Sequence, residues 1–248
     1  ADDPVVTEIL PYVGRTFLTF GIDSEADYRA EKITVDGLKT EFDVVRLGDR
    51  NLKVKLSMPG RHNVLNALAV IALSDHLGVN DELLVKALSE FKGVGRRFQL
   101  IGYIQKNGQQ IPIIDDYGHH PTEIEVTFEA VRGAYPGRRL LSVFQPHRYS
   151  RTQDLFDEFV SVLNHADELI LMPVYPAGES PIVGAESKDL AQSIRRLGHC
   201  RPYVESDFEH VIERVDALVG LNDVVVVQGA GSIGRLPSQM AATLGGGQ

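Results

Sequence analysis

The chain has 248 residues, of which 43 % are hydrophobic and 24 % are charged, and its formal net charge is −9. These values are typical of a globular protein with one large or two ordinary domains. The acidic balance argues against a broad nucleic-acid surface, and the single Cys200 excludes an internal disulfide and a cysteine metal cage. No apolar run is long enough to span a bilayer and the first residues do not form a signal-peptide pattern, so we expect no membrane partner, and the single cysteine fits a reducing cytoplasm.

The first part of the chain combines predicted strands with predicted helices. Segments rich in Val, Ile, Thr and Phe, separated by Asp, Gly and Asn, indicate a small, mostly antiparallel sheet. They cover residues 15–21, 30–35, 40–46 and 51–58. Apolar residues at helical spacing then predict helices over residues 63–78 and 81–91. We expect Gly78 to close the first helix and Asp81 to cap the start of the second.

Residues 92–98, Lys-Gly-Val-Gly-Arg-Arg-Phe, mark a change of pattern. Two glycines within three residues make a good hinge, so we place a domain boundary near Gly95, between residues 1–95 and 96–248. Beyond it, Asn107-Gly108 predicts a tight hairpin between two strands. Strands and helices then alternate, which indicates an α/β fold with a doubly wound, mostly parallel, Rossmann-like sheet.

Polar or glycine-rich loops follow the predicted strands of this second part. They read DDYGHHP at residues 115–121, PHRYSR at 146–151, YPAGES at 175–180 and GAGSIG at 229–234. Ligands of such sheets bind beyond the carboxyl ends of the strands. The loops therefore predict a binding site at that edge.

Arg148 and Arg151 are candidates for an anion clamp, because a guanidinium forms bidentate hydrogen bonds with carboxylate or phosphate. They stand three residues apart at the start of a predicted helix, whose N-terminus would add to the attraction. The alternative is a solvated helix start in which the arginines pair with local acids such as Asp154.

The run DDYGHHP could serve a metal, acid–base chemistry or a ribose. Adjacent residues on a strand point to opposite faces, so Asp115 and Asp116 are not expected to chelate one ion together. The same objection weakens a pair of His119 and His120, and we predict no metal site. We expect one acid to face a ligand and the other to support the structure. An isolated histidine is more often a structural hydrogen-bonding group than a catalyst.

Asn63 and Asn66 lie three residues apart near the start of a predicted helix and therefore share a face. An asparagine amide donates and accepts hydrogen bonds, so the pair could bind an adenine edge. The sequence alone favours the simpler interpretation, in which Asn63 is a helix N-cap.

The glycine-rich loop at 229–234 matches the dinucleotide-binding pattern G-x-G-x-x-G. That pattern needs a following strand and an acid about 20 residues further on, and neither is predicted. We therefore interpret the loop as a tight strand-to-helix turn that faces the site. The sequence contains no G-x-x-x-x-G-K-[ST] loop, so it lacks the P-loop lysine that binds phosphates.

Several of these motifs together resemble those of the Mur ligases, in order over essentially the whole chain. They are PGRHNVLNALA, GVGRRF, DDYGHHPTE, FQPHRYSRT, YPAGE and QGAGSIG. Within the family they are most similar to enzymes that join L-alanine to UDP-N-acetylmuramate. The resemblance implies that residues 1–95 are the rear portion of a central ATP-binding domain and that residues 96–248 are a C-terminal amino-acid-binding domain. A chain that opens on Ala-Asp-Asp-Pro without methionine agrees with a fragment of a longer protein, and we expect the fragment alone to be inactive.

The resemblance also implies a reaction in cell-wall synthesis. With ATP and Mg²⁺, the enzyme phosphorylates the lactyl carboxylate of UDP-N-acetylmuramate, and the amine of L-alanine attacks the acyl phosphate. Magnesium ligands would come mostly from the upstream part. The implied ATP-binding residues are Asn63, Asn66, Arg97 and Asp116, with the asparagines at the adenine, Arg97 at phosphates or ribose, and Asp116 at the ribose. The implied amino-acid-binding residues are Tyr117, His119, His147, Arg148 and Arg151, of which the arginines would hold the carboxylate and the two histidines would be catalytic.

Two alternatives stay open. A recycling ligase of the same family adds a peptide to the same sugar nucleotide, although the Tyr117-Gly118 pair fits the alanine enzymes better. A non-catalytic dinucleotide-binding module would depend on the glycine-rich loop alone.

Overall fold

The computed structural model describes residues 1–46, 48 and 50–246. The chain divides into two compact units, residues 1–93 and 94–248, which we call unit 1 and unit 2. Among the described residues, no helix combines the length and the apolar character that a membrane span requires.

Unit 1 packs helices against a small sheet. Its elements are helix α1 (Pro4–Ile9), a 3₁₀ turn (Leu10–Tyr12), strands β1 (Phe20–Gly21), β2 (Tyr28–Asp36), β3 (Lys39–Arg46) and β4 (Leu52–Leu56), and helices α2 (Arg61–His76) and α3 (Asp81–Glu90). In the described part, the strand order is β1-β2-β3-β4, and only the short β1 runs parallel to its neighbour. Alternate residues of β3 and β4, such as Phe42 and Val54, are buried with the apolar side chains of α2. The predicted antiparallel sheet is thus confirmed.

Several predicted boundaries in unit 1 were wrong. The strand expected over residues 15–21 is reduced to Phe20–Gly21. Helix α1 was not predicted; it begins where the Asp3 side chain accepts from the Val6 amide and a proline occupies the first helical position. The N-cap of α3 is Asn80, and Asp81 is the first helical residue.

The start and end of α2 also differ from expectation. Gly60 is the N-cap, so Asn63 lies inside the helix, and the N-cap interpretation of Asn63 is wrong. At the other end Leu77 is the C-cap, and Gly78 follows it with a φ of 71°, the left-handed conformation that glycine adopts without steric cost.

A buried arginine ties the sheet of unit 1 to its helices. The side chain of Arg46 is 1 % exposed and donates to Asp75 of α2 at 2.8 Å and to Asp81 of α3. Asp75 is itself 7 % exposed and also accepts from the Tyr28 hydroxyl at 3.1 Å. Buried charges are tolerated only when paired and hydrogen-bonded in this way, so removal of one partner leaves the other uncompensated.

We predict that Arg46→Ala lowers the free energy of unfolding by about 3 kcal/mol, because the buried Asp75 would lose its nearest cation and keep only the exposed Arg50 at 3.4 Å. Urea unfolding followed by circular dichroism measures the change. Lys55→Ala is the matched control, since Lys55 forms an exposed pair with Glu41 at 2.7 Å, and its loss should cost less than about 1 kcal/mol. Equal losses for the two variants would contradict the role of the buried pair.

Unit 2 is a doubly wound α/β sheet. Its strands are β5 (Gln99–Lys106), β6 (Gln109–Asp116), β7 (Arg139–Phe144), β8 (Glu168–Leu171), β9 (Tyr203–Val204) and β10 (Asp223–Gln228). Its helices are α4 (Pro121–Ala134), α5 (Tyr149–Asp154), α6 (Phe156–Leu163), α7 (Ser187–Leu197), α8 (Phe208–Leu218) and α9 (Leu236–Leu244), with a 3₁₀ turn at Ser232–Arg235 before α9. The order in the described residues is β5-β6-β10-β7-β8-β9, and only β5 is antiparallel.

The side chains explain this sheet. Strand β10 is buried along its whole length, as a central parallel strand requires. Val225 and Val227 pack on one face with residues of α8 and α9, whereas Phe144 of β7 packs its ring against Phe159 of α6 on the other. The hairpin before β6 turns at Asn107-Gly108, both with positive φ, as predicted for a type I′ turn. The α/β fold with helices on both faces of the sheet is confirmed.

Candidate functional site

The candidate site lies at the carboxyl ends of β6, β10 and β7, which are neighbours in the sheet of unit 2. Each strand continues into one of the polar loops predicted to face a ligand. The loop after β8 joins them, because His147 and Tyr175 form an isolated parallel bridge. Insertion of β10 between β6 and β7 thus brings loops from distant parts of the sequence to one edge.

Asp116 ends β6 with a buried carboxylate. The carboxylate accepts hydrogen bonds from Phe98 N at 2.9 Å, Gly118 N at 2.8 Å, Thr127 Oγ1 at 3.2 Å and Gln228 Nε2 at 3.3 Å. Three of these donors reach Oδ1 and one, Phe98 N, reaches Oδ2, and together they make burial of the charge tolerable. In this structure Asp116 therefore holds the loop after β6 in place. Its ribose-binding role stays a prediction.

Asp115 points to the other side of β6, as its position next to Asp116 predicts. Its Oδ2 accepts from Arg96 Nε at 3.2 Å, and its Oδ1 has no partner among the described residues. Burial raises the pKa of the Asp115 carboxyl, and the Arg96 guanidinium offsets part of that rise. Both acids of the pair are thus engaged inside unit 2.

Four aromatic rings form a continuous row across the site. The ring centroids of Tyr117 and His119 are 5.4 Å apart, those of His119 and His147 are 5.8 Å apart, and those of His147 and Tyr175 are 5.3 Å apart. The first two contacts are edge-to-face and the third is stacked, which are the preferred geometries of aromatic pairs. The structure therefore brings together the three predicted ring residues and adds Tyr175. We call these four residues the ring row.

His119 is oriented by its surroundings. Its Nδ1 lies 3.1 Å from the Tyr117 carbonyl oxygen, which can only accept, so Nδ1 carries the hydrogen and Nε2 is the acceptor of the neutral ring. The Glu123 carboxylate accepts from the amides of His119 and His120 at 2.9 and 3.1 Å. Burial raises the pKa of Glu123, but these hydrogen bonds outweigh it and the net pKa is lowered. His120 itself is the N-cap of α4, a structural role.

His147 is kept neutral by its environment. Burial lowers the pKa of its imidazole, and electrostatic interactions with Arg151, His119 and Arg148 lower it further, against a smaller opposing effect of Glu179. Arg151 donates from Nη1 to the His147 carbonyl at 3.2 Å. The histidine can therefore lie among cations without itself adding a charge near neutral pH.

Arg148 is the cation of the site that no described side chain neutralises. It is exposed, and it adopts a φ of 75°, a strained value for a residue with a side chain. Its backbone is fixed on both sides, since its amide donates to the Tyr175 carbonyl at 2.8 Å and its carbonyl accepts from Thr152 Oγ1 at 2.8 Å. These bonds fix the backbone from which the Arg148 side chain extends.

The N-terminus of α5 already binds a carboxylate, which belongs to Glu179. Ser150 donates to it from N at 3.0 Å and from Oγ at 2.7 Å, and these bonds lower the Glu179 pKa. The expected help from the helix terminus in binding a ligand anion is thus taken by the protein itself. The guanidinium groups of Arg148 and Arg151 are what is left for a ligand.

The predicted nucleotide-binding residues lie in both units. In unit 1, Asn63 donates from Nδ2 to the Pro59 carbonyl at 2.7 Å, whereas Asn66 is exposed. In unit 2, Arg97 is exposed, and no described residue pairs with its guanidinium. Arg97 therefore has all its donors available for an anion, and Asn63 keeps its amide oxygen.

No group of three or more His, Cys, Asp or Glu side chains in the described ranges is arranged to hold a metal ion.

Comparison with known families agrees with the fold. Residues 96–231 match the family model of the Mur ligase glutamate ligase domain, and residues 1–74 match that of the Mur ligase middle domain.

Solved structures give the same result. UDP-N-acetylmuramate-alanine ligase MurC from Thermotoga maritima is 31 % identical with a TM-score of 0.76, over 91 % of this chain and 47 % of that one. The murein peptide ligase mpl from Psychrobacter arcticus 273-4 is 25 % identical with a TM-score of 0.59, over 92 % and 46 %. MurF ligase from Thermotoga maritima in complex with ADP shares the fold at 20 % identity and a TM-score of 0.71, over 98 % and 52 %. The chain spans about half the length of each.

Unit 2 is an α/β unit whose strand ends gather arginines, histidines and tyrosines, at the edge where such folds bind their ligands. With the matches to two successive family domains, the chain belongs to the Mur ligase family, a family of ATP-dependent ligases in peptidoglycan synthesis.

Sequence reasoning missed four residues of the site. Arg96 lies over the Tyr117 ring and Tyr175 stacks on His147, while Asp115 pairs with Arg96 and Glu179 binds Ser150. None of the four was assigned a ligand-binding role from the sequence. For Tyr175 and Glu179 a signal was present, since both stand in the loop YPAGES that was predicted to face the ligand. The partners of Arg96 lie 19 and 133 positions away in sequence, so spacing carries no signal for them.

We predict that the imidazole of His147 titrates below the ordinary histidine pKa of about 6.5. His210 should titrate above it, because the hydrogen bond that its ring donates to Asp207 and the charge of that carboxylate raise the His210 pKa. Arg151→Ala should move the His147 pKa upward, since it removes a positive charge that opposes protonation. NMR titration of the histidine ring protons measures both. Arg196→Ala, in the last turn of α7, is the control and should change neither. A His147 pKa equal to that of His210 would refute the assignment.

Proposed function

We propose that this chain provides L-alanine-binding and ATP-binding residues of a ligase that joins L-alanine to the lactyl carboxylate of UDP-N-acetylmuramate. The observation that carries the proposal is the placement of two guanidinium groups, Arg148 and Arg151, beside the histidines of the ring row. An amino acid as small as alanine offers mainly a carboxylate and an amine. This cluster has a cation for the first and an imidazole for the second.

The proposed reaction has two steps. Transfer of the γ-phosphoryl group of ATP to the lactyl carboxylate gives an acyl phosphate and ADP. The neutral amine of L-alanine then attacks the acyl carbon, and the tetrahedral intermediate loses phosphate to leave the amide. Mg²⁺ would neutralise phosphate charge in the first step, and we propose that its ligands come mostly from outside this chain.

In the second step the alanine ammonium must lose a proton before it can attack. The Nε2 atom of His119 is an acceptor, because Nδ1–H is directed at the Tyr117 carbonyl. We assign His119 as the general base on that ground. His147, neutral because of its lowered pKa, can donate from its ring to the negatively charged oxygen of the tetrahedral intermediate without repelling the ammonium beforehand.

The proposed nucleotide-binding residues are Asn63 and Asn66 for the adenine, Arg97 for phosphate or ribose, and Asp116 for the ribose. Among the described residues, Asp116 Oδ2 accepts only from Phe98 N, so it is the oxygen that we propose for the ribose. The accompanying domain assignment is residues 1–95 for the rear portion of the ATP-binding domain and 96–248 for the amino-acid-binding domain, in a cytoplasmic enzyme.

The comparison with the alternatives favours alanine. The L-alanine-type structure is more similar than the murein peptide ligase, at 31 % against 25 % identity. A dinucleotide-binding module is disfavoured by the contacts of the glycine-rich loop, whose glycines are covered by protein atoms.

We predict that this chain alone has no ligase turnover. Phosphoryl transfer depends on positioned phosphate-binding groups, and the sequence has no P-loop lysine. A phosphate-release assay with ATP, Mg²⁺, UDP-N-acetylmuramate and L-alanine should stay at background for the chain and rise for a full-length ligase that contains it. Turnover by the chain that depends on L-alanine would contradict the prediction.

In that full-length ligase, Arg148→Ala and Arg151→Ala should weaken the use of L-alanine far more than the use of ATP. Loss of one charge-assisted hydrogen bond to the carboxylate should cost about 1.5–3 kcal/mol, or roughly tenfold to a hundredfold in affinity. Lysine should restore only part of it, because it cannot form a fork. Steady-state kinetics with one substrate varied at a time would test this, with Arg196→Ala as the matched control. A raised KM for ATP with an unchanged KM for L-alanine would assign the arginines to the nucleotide instead.

A further inference from the structure

The ring row ends at both sides against the glycine-rich loop at 229–234. At one end the Arg96 guanidinium lies over the Tyr117 ring, 5.1 Å from its centroid. At the other end the Tyr175 ring is stacked on His147 with an interplanar angle of 17°. Neither Arg96 nor Tyr175 belongs to the substrate-binding residues proposed above.

The Arg96 end is fixed by contacts from three sides. Its Nε donates to Asp115 at 3.2 Å and its Nη2 donates to the Gly229 carbonyl at 2.6 Å. A Cβ atom on Gly234 would lie 2.5 Å from the Arg96 guanidinium carbon, closer than real Cβ contacts allow. Only glycine at position 234 therefore lets the guanidinium lie between the loop and the Tyr117 ring.

The Tyr175 end is fixed in the same way. Its amide donates to the Pro146 carbonyl at 2.8 Å, which holds the loop after β8 beside the loop after β7. A Cβ atom on Gly231 would lie 2.7 Å from Tyr175 Cγ and 2.9 Å from Gln145 Oε1. These neighbours are a ring root and a buried amide rather than the end of a flexible chain, so a methyl group would displace the ring.

We propose that the glycine-rich loop positions the two histidines of the site by holding both ends of the ring row. At the Tyr117 end, Arg96 packs between Gly234 and the Tyr117 ring. At the other end, Tyr175 packs on Gly231. Arg96, Tyr175, Gly231 and Gly234 are then positioning residues. The purpose of the row, presentation of His119 and His147 to an amino acid, depends on the proposed function. The geometry of the row does not.

This assignment explains the G-x-G-x-x-G pattern without a dinucleotide. In a dinucleotide site the glycines leave space for a pyrophosphate. Here the first glycine, Gly229, faces the Gln145 carbonyl, at 2.8 Å from an added Cβ, and the other two face Tyr175 and Arg96. The missing side chains make room for the protein's own groups.

The test on this chain compares Gly231→Ala with Gly133→Ala. Gly133 lies in α4 with open space around an added Cβ and is the matched control. Ring-proton resonances of the histidines and the His147 titration are read by NMR. We expect Gly231→Ala to shift the His147 resonances and to move its pKa upward as the stacked ring is displaced, and Gly133→Ala to change neither. The charged or titratable groups facing His147 are Arg148, Arg151, His119 and Glu179, and all remain in both variants.

A second pair of variants keeps the test decisive if Gly231→Ala does not fold. Tyr175→Ala removes the stacked ring and should reproduce the effect of Gly231→Ala, whereas Tyr175→Phe keeps the ring and should restore the wild-type titration. If folded Gly231→Ala and Tyr175→Ala leave the His119 and His147 resonances unchanged, the proposal is overturned. If Gly231→Ala fails to fold, the tyrosine pair decides alone by the same criterion.

Kinetics of the full-length ligase separate this proposal from the proposed function. Displacement of a catalytic histidine by about 1 Å should lower kcat/KM for L-alanine by about tenfold to a hundredfold in Tyr175→Ala, with the KM for ATP unchanged and activity recovered in Tyr175→Phe. If the full-length enzyme does not use L-alanine but the NMR shifts follow the expected pattern, the proposed substrate is wrong and the positioning role of the loop stands. Normal L-alanine kinetics in Tyr175→Ala would refute the positioning role and keep the substrate.

Discussion

The carboxylate of Asp116 is the interaction on which the site of unit 2 depends. It joins the start of β5 through Phe98, the loop after β6 through Gly118, helix α4 through Thr127 and strand β10 through Gln228. A buried carboxylate without donors would be costly, so each of these elements must take its place for the charge to be tolerated. The bond to Gly118 turns the chain sharply enough to bring Tyr117 and His119 to the edge of the sheet. The contact is close, since a Cβ on Gly118 would lie 2.6 Å from the Asp116 oxygen.

Periodicity in the sequence predicted the elements of unit 2 well, because its strands are buried and its helices are amphipathic. Prediction failed where local capping decides the structure. The first helix is stabilised by the Asp3 side chain and by proline at its first position, two short-range signals within a run that is polar enough to resemble a turn. Asn63 was interpreted as a cap because Gly60, the true N-cap, has no side chain to reveal it.

The sequence predicted which residues follow the carboxyl ends of the strands, but not which of those strands are neighbours in the sheet. Alternation on a strand placed Asp115 and Asp116 on opposite sides, and the structure agrees. The polar loops were expected at one edge, and the parallel sheet brings them there. Contacts between loops could not be predicted from the sequence. The stacking of Tyr175 on His147 depends on the adjacency of β7 and β8. The hydrogen bond from Arg96 to the Gly229 carbonyl depends on the insertion of β10 beside β6. These are tertiary facts that no spacing in the sequence encodes.

The arginines of unit 2 are paired differently at the two ends of its strands, and this difference supports the proposed anion site. At the amino ends of the strands, Arg139 is paired with Asp223 at 2.9 Å and with Glu168 at 3.4 Å, and Arg132 is paired with Asp167 at 3.3 Å. A guanidinium whose charge and donors are already used has little to offer a ligand. At the carboxyl ends, no described acid neutralises Arg148, and Arg151 donates only to a backbone carbonyl and, weakly, to the ring of His147. The nearby acid Glu179 is bound to Ser150 instead. At the same edge Arg96 is paired with Asp115, whereas Arg148 and Arg151 keep their charge available there, and the difference lies in which acids the fold places within reach.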